Sequence, residues 1–134
     1  MEGVLNLLII TPEKEFYNGN VKEIYIETLS GHMGILPGRL PIIALLKPTI
    51  TVFKDEKGKE FRTFTSSGML EVENNKVKML CDACEWPKNI DFNRAEAAKK
   101  RAEERLSKKE ENVDIKRAQM ALARALARLK LKDI

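Results

Sequence analysis

The chain has 134 residues, 24 Lys and Arg against 20 Asp and Glu, 43% hydrophobic residues and 33% charged ones, a balance that excludes both a disordered polymer and a helical membrane protein. Its longest apolar runs, 4–10 and 41–46, are strand-sized and far short of the ~20 residues that span a bilayer, and no basic segment with a cleavage site precedes them, so no secretory signal is expected. One His and two Cys leave too few ligands for a structural zinc site.

Residues 1–87 read as an all-β unit. Leu5, Leu7 and Ile9 alternate with other residues, the period-2 signal of a half-buried strand. Ile24 and Ile26 repeat it, as do Ile50 and Val52. Phe61, Thr63 and Thr65 form an aromatic and β-branched run. Leu70 and Val72, then Asn74-Asn75, then Val77, Met79 and Cys81 predict a hairpin. Glycines at 19, 31, 34, 38, 58 and 68 punctuate these runs. Many short strands with frequent turns predict a sandwich or barrel.

Little catalytic material lies in this unit. Cys81 and Cys84 make a Cys-x-x-Cys, but Cys81 continues the face of Val77 and Met79 and reads as a small core hydrophobe. His32 lies in a glycine-rich loop with no carboxylate or second His beside it, and is expected at the surface. The segment 31–38 has turn signals but neither Gly-x-Gly-x-x-Gly nor Gly-Lys-Ser/Thr, so its spacing does not cradle phosphate.

The composition changes at 86–90. All seven Gly and all five Pro precede residue 88, whereas nine of the eleven Ala follow it, and Ala is the best helix former. Residues 1–87 carry a net charge of −2 and residues 88–134 a net +6. The basic part contains an internal repeat: 91–106 and 114–129 align at an offset of 23, with eight of sixteen positions identical. Each copy opens on Asp, a good N-cap, and then carries Arg at spacings of 7 and 4: Arg94, Arg101 and Arg105, then Arg117, Arg124 and Arg128. At about 100° per residue each trio falls within about 40° on one helix face. Ile115, Ala118, Leu122, Ala125, Leu126 and Leu129 form the predicted apolar stripe of the second helix. The polar stretch 107–112 suits a reversal, so two similar helices form a hairpin.

The arginine stripes invite a polar ligand, because Arg grips phosphate and carboxylate bidentately. If the hairpin folds back on the β unit, Glu85, Asp91 and Arg94 meet Arg124 and Arg128, offering carboxylates to a base or ribose and arginines to a triphosphate. The same stripes also suit a solvated face, a dock for an acidic protein surface, or nucleic acid. Nucleic acid is disfavoured, because Phe92 is the one aromatic residue on the helices and stacking platforms are lacking.

Three motifs carry a family resemblance. Ser30-Gly31-His32-Met33-Gly34-Ile35-Leu36-Pro37-Gly38-Arg39-Leu40-Pro41 is close to Gly-x-x-Gly-Ile-Leu-Pro-Gly-His-x-Pro; Ser66-Ser67-Gly68-Met69-Leu70-Glu71-Val72 is close to Ser-Gly-Gly-x-Leu-Glu-Val; and Ile90-Asp91-Phe92-Asn93-Arg94-Ala95 fits Ile/Leu-Asp-x-x-Arg-Ala. With the order of strands then helices, the whole chain resembles the epsilon subunit of bacterial F-type ATP synthases. The resemblance implies an N-terminal ten-stranded β-sandwich (1–87) that binds the gamma subunit and the c ring. It implies a C-terminal antiparallel two-helix hairpin (88–134) that extends into the alpha/beta catalytic hexamer and restrains ATP hydrolysis. It further implies a non-catalytic central-stalk rotor subunit, held peripherally at the cytoplasmic face of the bacterial membrane, with no required cofactor and no metal. Gly31, His32, Met33 and Gly34 fall where the family has a loop facing the c ring; Arg39 replaces the usual His, His32 an acidic or polar residue, and Ser67 the first Gly of a pair. Some members bind ATP on the folded hairpin, with or without Mg²⁺, through residues that match Glu85, Asp91, Arg94, Arg124 and Arg128. The alternative is a stand-alone nucleotide-sensing module of the same fold.

Overall fold

The computed structural model describes residues 3–108 and 114–132. Nine strands come first among them: β1 (Leu5–Ile10), β2 (Glu15–Thr28), β3 (Gly31–Ile35), β4 (Ile42–Leu46), β5 (Thr49–Asp55), β6 (Glu60–Thr65), β7 (Gly68–Glu73), β8 (Lys76–Cys81) and β9 (Cys84–Glu85). A 3-10 turn (Pro87–Asn89) leads into two helices, α1 (Phe92–Ser107) and α2 (Ile115–Lys130). One layer runs β1-β8-β7-β4, with β1 and β8 parallel. The other runs β3-β2-β5-β6-β9. The strand count is one below the expected ten. The 14-residue β2 serves both layers as a single strand: its first half pairs with β1, its second half with β3 and β5, and the register shifts between Val21 and Glu23.

The sandwich core follows the period-2 pattern. Leu5, Leu7 and Ile9 meet Val21, Ile24 and Ile26, Phe53, Leu70 and Val72, and Val77, Met79 and Cys81, all buried in one cluster. Each large side chain so buried contributes about 1.5–3 kcal/mol relative to exposure. Asn74 and Asn75, with φ of 51° and 61°, form the two-residue turn between β7 and β8, the left-handed pair that suits a tight hairpin. Gly68 is required by close approach, since a Cβ there would collide with the backbone carbonyl of Leu80 on β8.

Three expectations change here. Gly31, His32, Met33 and Gly34 are not a loop: they form β3, paired residue by residue with β2, and the turn falls at Leu29–Ser30. Gly34 fits because the ring of Tyr25 covers it, where a Cβ would lie 3.2 Å from the ring, and Gly31 takes a positive φ of 119°. The register also places His32 opposite Glu27, 3.9 Å from its carboxylate, so this exposed histidine does have an acidic neighbour. On β5 the sandwich face is Thr51 and Phe53, both fully buried, rather than Ile50 and Val52. The core accepts threonines because they hydrogen-bond one another, Thr51 Oγ1 to Thr65 Oγ1 at 2.7 Å.

Ile50 points out of the sandwich to a second cluster. Phe64, Ile90, Ala127 and Leu131 are buried there, with Ile50, Ala83 and Phe92 packed around them. The hairpin thus lies on the outer face of the β5-β6-β9 layer. Both helices begin as the sequence predicts: Asp91 Oδ1 accepts the Arg94 N–H and Asp114 Oδ1 the Arg117 N–H, each at 3.0 Å. Of the stripe expected on α2, Ala118 and Ala125 are buried and Leu122 and Leu129 half-buried, and two positions depart from it. Ile115 and Leu126 are exposed, and the buried positions are Ala118, Ala125 and Ala127. On α1 they are Ala95 and Ala102, the repeat counterparts of Ala118 and Ala125. Small side chains let the helices approach closely, and larger ones are displaced to the rim. Beyond Lys108, the reversal expected over 107–112 lies outside the described residues.

Candidate functional site

The sheet register builds one wall of the site. Ile50 pairs with Phe64 across β5 and β6, and Phe64 pairs with Glu85 across β6 and β9. Directly opposite residues share a face, so Ile50, Phe64 and Glu85 form a row on the surface that the hairpin covers. Thr63 Oγ1 donates to the Glu85 carbonyl at 2.7 Å and holds the two-residue β9 in place. Glu85 Oε1 then accepts from Arg128 Nε at 2.6 Å, while the Arg128 guanidinium lies 4.3 Å above the Phe64 ring centroid. Next to Glu85, Trp86 stacks on Phe16 at 4.6 Å and anchors the hinge in the sandwich.

Glu85, Asn89 and Asp91, both helices and their arginines enclose a groove of about 530 Å³. All five residues expected at a nucleotide site line it: Glu85, Asp91, Arg94, Arg124 and Arg128. Its floor is Ala95, Ala98, Ala102, Ala121 and Ala125, so a ligand can approach the helix backbones. Arg101, Arg105 and Arg117 line it as well. They were visible in the sequence as members of the two arginine trios, yet lay outside the five-residue motif. The spacing of 7 and 4 is the signal that placed all six on one side.

Charge in this groove is unbalanced. Six arginines face two carboxylates among the lining residues, and each carboxylate already has a partner: Glu85 holds Arg128 and Asp91 caps α1. Neither is arranged as part of a metal cluster among the described residues, so Mg²⁺ would enter with a ligand's own phosphates rather than in a protein cage. The arrangement suits an anion with several phosphoryl groups, with hydroxyl or amino donors for the acidic end.

The neighbouring cysteines do no comparable chemistry. Cys81 is buried in the core and Cys84 half-buried, both free. A hydrogen bond with Cys81, then burial, pushes the Cys84 thiol above its ordinary value, which favours the protonated form over the reactive thiolate. The expected c-ring-facing residues Gly31, His32, Met33 and Gly34 lie on β3, away from the groove.

Comparison with known proteins matches this architecture in two parts. Residues 4–87 match the family model "ATP synthase, Delta/Epsilon chain, beta-sandwich domain", and residues 88–133 match "ATP synthase, Delta/Epsilon chain, long alpha-helix domain". The chain therefore belongs to the ATP synthase delta/epsilon chain family. Its similarity is to the epsilon branch: it is 53% identical to the ATP synthase epsilon chain of Clostridium botulinum over 134 residues, 100% of both chains. It is also 53% identical to that of Clostridium kluyveri over 110 residues, 82% of this chain and 83% of that one. Among solved structures, a chain of the Euglena gracilis mitochondrial ATP synthase (OSCP/F1/c-ring) superposes with a TM-score of 0.84 at 22% identity, covering 95% of this chain and 80% of that one. That last likeness speaks for the fold alone.

Proposed function

We propose that this chain is a non-catalytic central-stalk subunit of an F-type ATP synthase whose hairpin senses ATP and restrains ATP hydrolysis. The observation that carries the sensing is the convergence of Glu85, Asp91, Arg94, Arg124 and Arg128 in one groove. These residues come from β9, the hinge and both helices, so they meet only while the hairpin is folded on the sandwich. A ligand that needs them all favours the folded state by its differential affinity. In the absence of ATP the hairpin is released, extends, and docks its net +6 charge on acidic surfaces of the alpha/beta hexamer. Such docking weakens with salt.

The docked state is suited to release. Phe64, Ile90 and Leu131 are the large buried side chains where the hairpin meets the sandwich, each worth about 1.5–3 kcal/mol and opposed by the entropy of ordering two helices. The sandwich meanwhile offers a face for the stalk. Ile43 and Leu45 point outward from β4, and Leu29, Leu36, Leu40 and Leu80 are exposed beside them or on neighbouring segments. Exposed large apolar residues of this kind mark docking surfaces, and the gamma subunit is the proposed occupant, with β3 (Gly31–Ile35) towards the c ring. The subunit is then held at the cytoplasmic face of the membrane through its partners; among the described residues no helix is long and apolar enough to cross a bilayer.

Titration of the whole protein with ATP tests the sensing directly. Saturable binding with slowed amide exchange in α2 is expected; no binding at millimolar ATP overturns it.

A further inference from the structure

The cysteine pair takes no part in the groove, yet it adjoins the residues that hold the hairpin to the sandwich. The β6-β7 and β8-β9 connections cross between the layers side by side. Gly68 pairs with Cys81, the Asp82 N–H donates to the Ser67 carbonyl, the Ser66 N–H donates to the Ala83 carbonyl, and Thr65 pairs with Cys84. Strict alternation would send residues three apart to opposite faces. A bend at Asp82 returns both cysteines to the interior instead: Cys81 is buried in the sandwich core and Cys84 packs against the same cluster. The two thiols are free and hydrogen-bonded to one another, at the Cys-x-x-Cys spacing that supports thiol–disulfide exchange.

The residues between and after the cysteines face the hairpin. Ala83 packs against the cluster of Phe64, Ile90, Ala127 and Leu131, and Glu85 accepts from Arg128. Strand β9 consists of Cys84 and Glu85 alone, held by its pairing with Phe64 and Thr65 and by the Thr63 hydroxyl. A covalent bond holds two sulfurs closer than a hydrogen bond does. Linking Cys81 to Cys84 therefore tightens the bend at Asp82 and draws Ala83 and Glu85 with it. A short charge-assisted bond such as that of Glu85 to Arg128 weakens steeply with such a shift.

We propose that Cys81 and Cys84 form a reversible dithiol–disulfide switch whose disulfide loosens the docking of the hairpin on the sandwich. The oxidant is a low-molecular-weight disulfide such as glutathione disulfide. The half-buried Cys84, as thiolate, attacks one sulfur of that molecule. Its S–S bond breaks, and one glutathione leaves as a thiolate that takes up the proton Cys84 lost. The Cys81 sulfur then attacks the Cys84 sulfur and expels the second glutathione, which receives the Cys81 proton. Two cysteine thiols are oxidised to one disulfide, and one glutathione disulfide is reduced to two thiols. A dithiol reductant reverses the step. The raised Cys84 thiol makes the first attack slow, which suits a response to a sustained oxidising poise. The switch acts on the hairpin whether or not a nucleotide binds.

The test equilibrates the whole chain in glutathione buffers from reducing to oxidising, then follows it by mass spectrometry and amide exchange. The expected product is an intramolecular disulfide, seen as the loss of two hydrogens with no glutathione adduct. Amide exchange in α2 is expected to accelerate about tenfold in that form, the effect of losing one charge-assisted hydrogen bond, and to slow again after reduction with dithiothreitol. Cys84→Ala is expected to form no disulfide and to keep slow exchange in α2 in every buffer; the unmodified chain decides alone if that variant does not fold. A chain that stays a dithiol in oxidising glutathione, or stops at a glutathione adduct, overturns the proposal. So does a disulfide that leaves exchange in α2 unchanged, or acceleration that persists in the folded Cys84→Ala variant.

Discussion

Arg128 Nε lies 2.6 Å from the Glu85 carboxylate, with its guanidinium 4.3 Å over the ring of Phe64, so one side chain of α2 is clamped by two positions of the sandwich. Glu85 and Phe64 are direct cross-strand neighbours. The clamp joins the helical hairpin to the β unit, and Arg128 and Glu85 both line the groove. A ligand that draws on Arg128 is thereby coupled to docking of the hairpin.

Glu85→Gln keeps the shape of the clamp and removes its charge. A hydrogen bond to a charged group contributes about 1.5–3 kcal/mol. Amide exchange within α2 is expected to accelerate by about tenfold or more, at 1.4 kcal/mol per decade, while β7 and β8 exchange as before. Equal exchange in α2 would show that the apolar cluster alone holds the hairpin.

Ala125→Leu tests the close approach of the helices. Ala125 is 1% exposed, and overpacking a tight contact costs about 1–3 kcal/mol. Helix content measured by circular dichroism is expected to melt at lower temperature. Ile115→Ala, at a position 57% exposed, is expected to shift that midpoint little.

Gly68→Ala acts on the sandwich instead. The added Cβ meets the Leu80 carbonyl, which is backbone and cannot rotate away. The β7-β8 pairing must open, at about 1–3 kcal/mol. The urea midpoint of the β unit is expected to fall, with the m-value unchanged.

Cys84 sets a dependence on pH. Its folded thiol is raised, first by the hydrogen bond with Cys81 and then by burial, so the folded state holds a proton that the unfolded thiol releases near its ordinary pKa of about 8.5. The stabilisation is complete below that value and declines as pH climbs above it towards the folded value. Urea unfolding is expected to show falling stability above about pH 8.5, and Cys84→Ser is expected to flatten that limb. Iodoacetamide is expected to label Cys84 more slowly than a free cysteine at the same pH.

Much of this was legible because local rules and tertiary structure agreed. Alternation identified β1, β7 and β8, Asn74-Asn75 marked its turn, and Asp91 and Asp114 cap the helices as their positions in the repeat predict. The five groove residues and the arginine spacing were visible too. What failed were positions whose partner comes from another layer. Ile50 looked like sandwich core because a single strand cannot reveal that a hairpin covers its other face. Leu126 shared the expected stripe with Ala125, but the close approach of the helices covers the smaller residue and leaves Leu126 exposed. Gly31 and Gly34 resembled loop residues, although the ladder with β2 makes them a strand and the ring of Tyr25 covers Gly34.

The regulatory claim is tested most directly by ATP hydrolysis in the assembled synthase, with the full chain and with a chain ending at Lys88, measured from low to high ATP. The account predicts slow hydrolysis at low ATP with the full chain, relief as ATP rises, and fast hydrolysis throughout with the shortened one. Equal hydrolysis by the two at every ATP concentration, in enzymes that still couple, would contradict it.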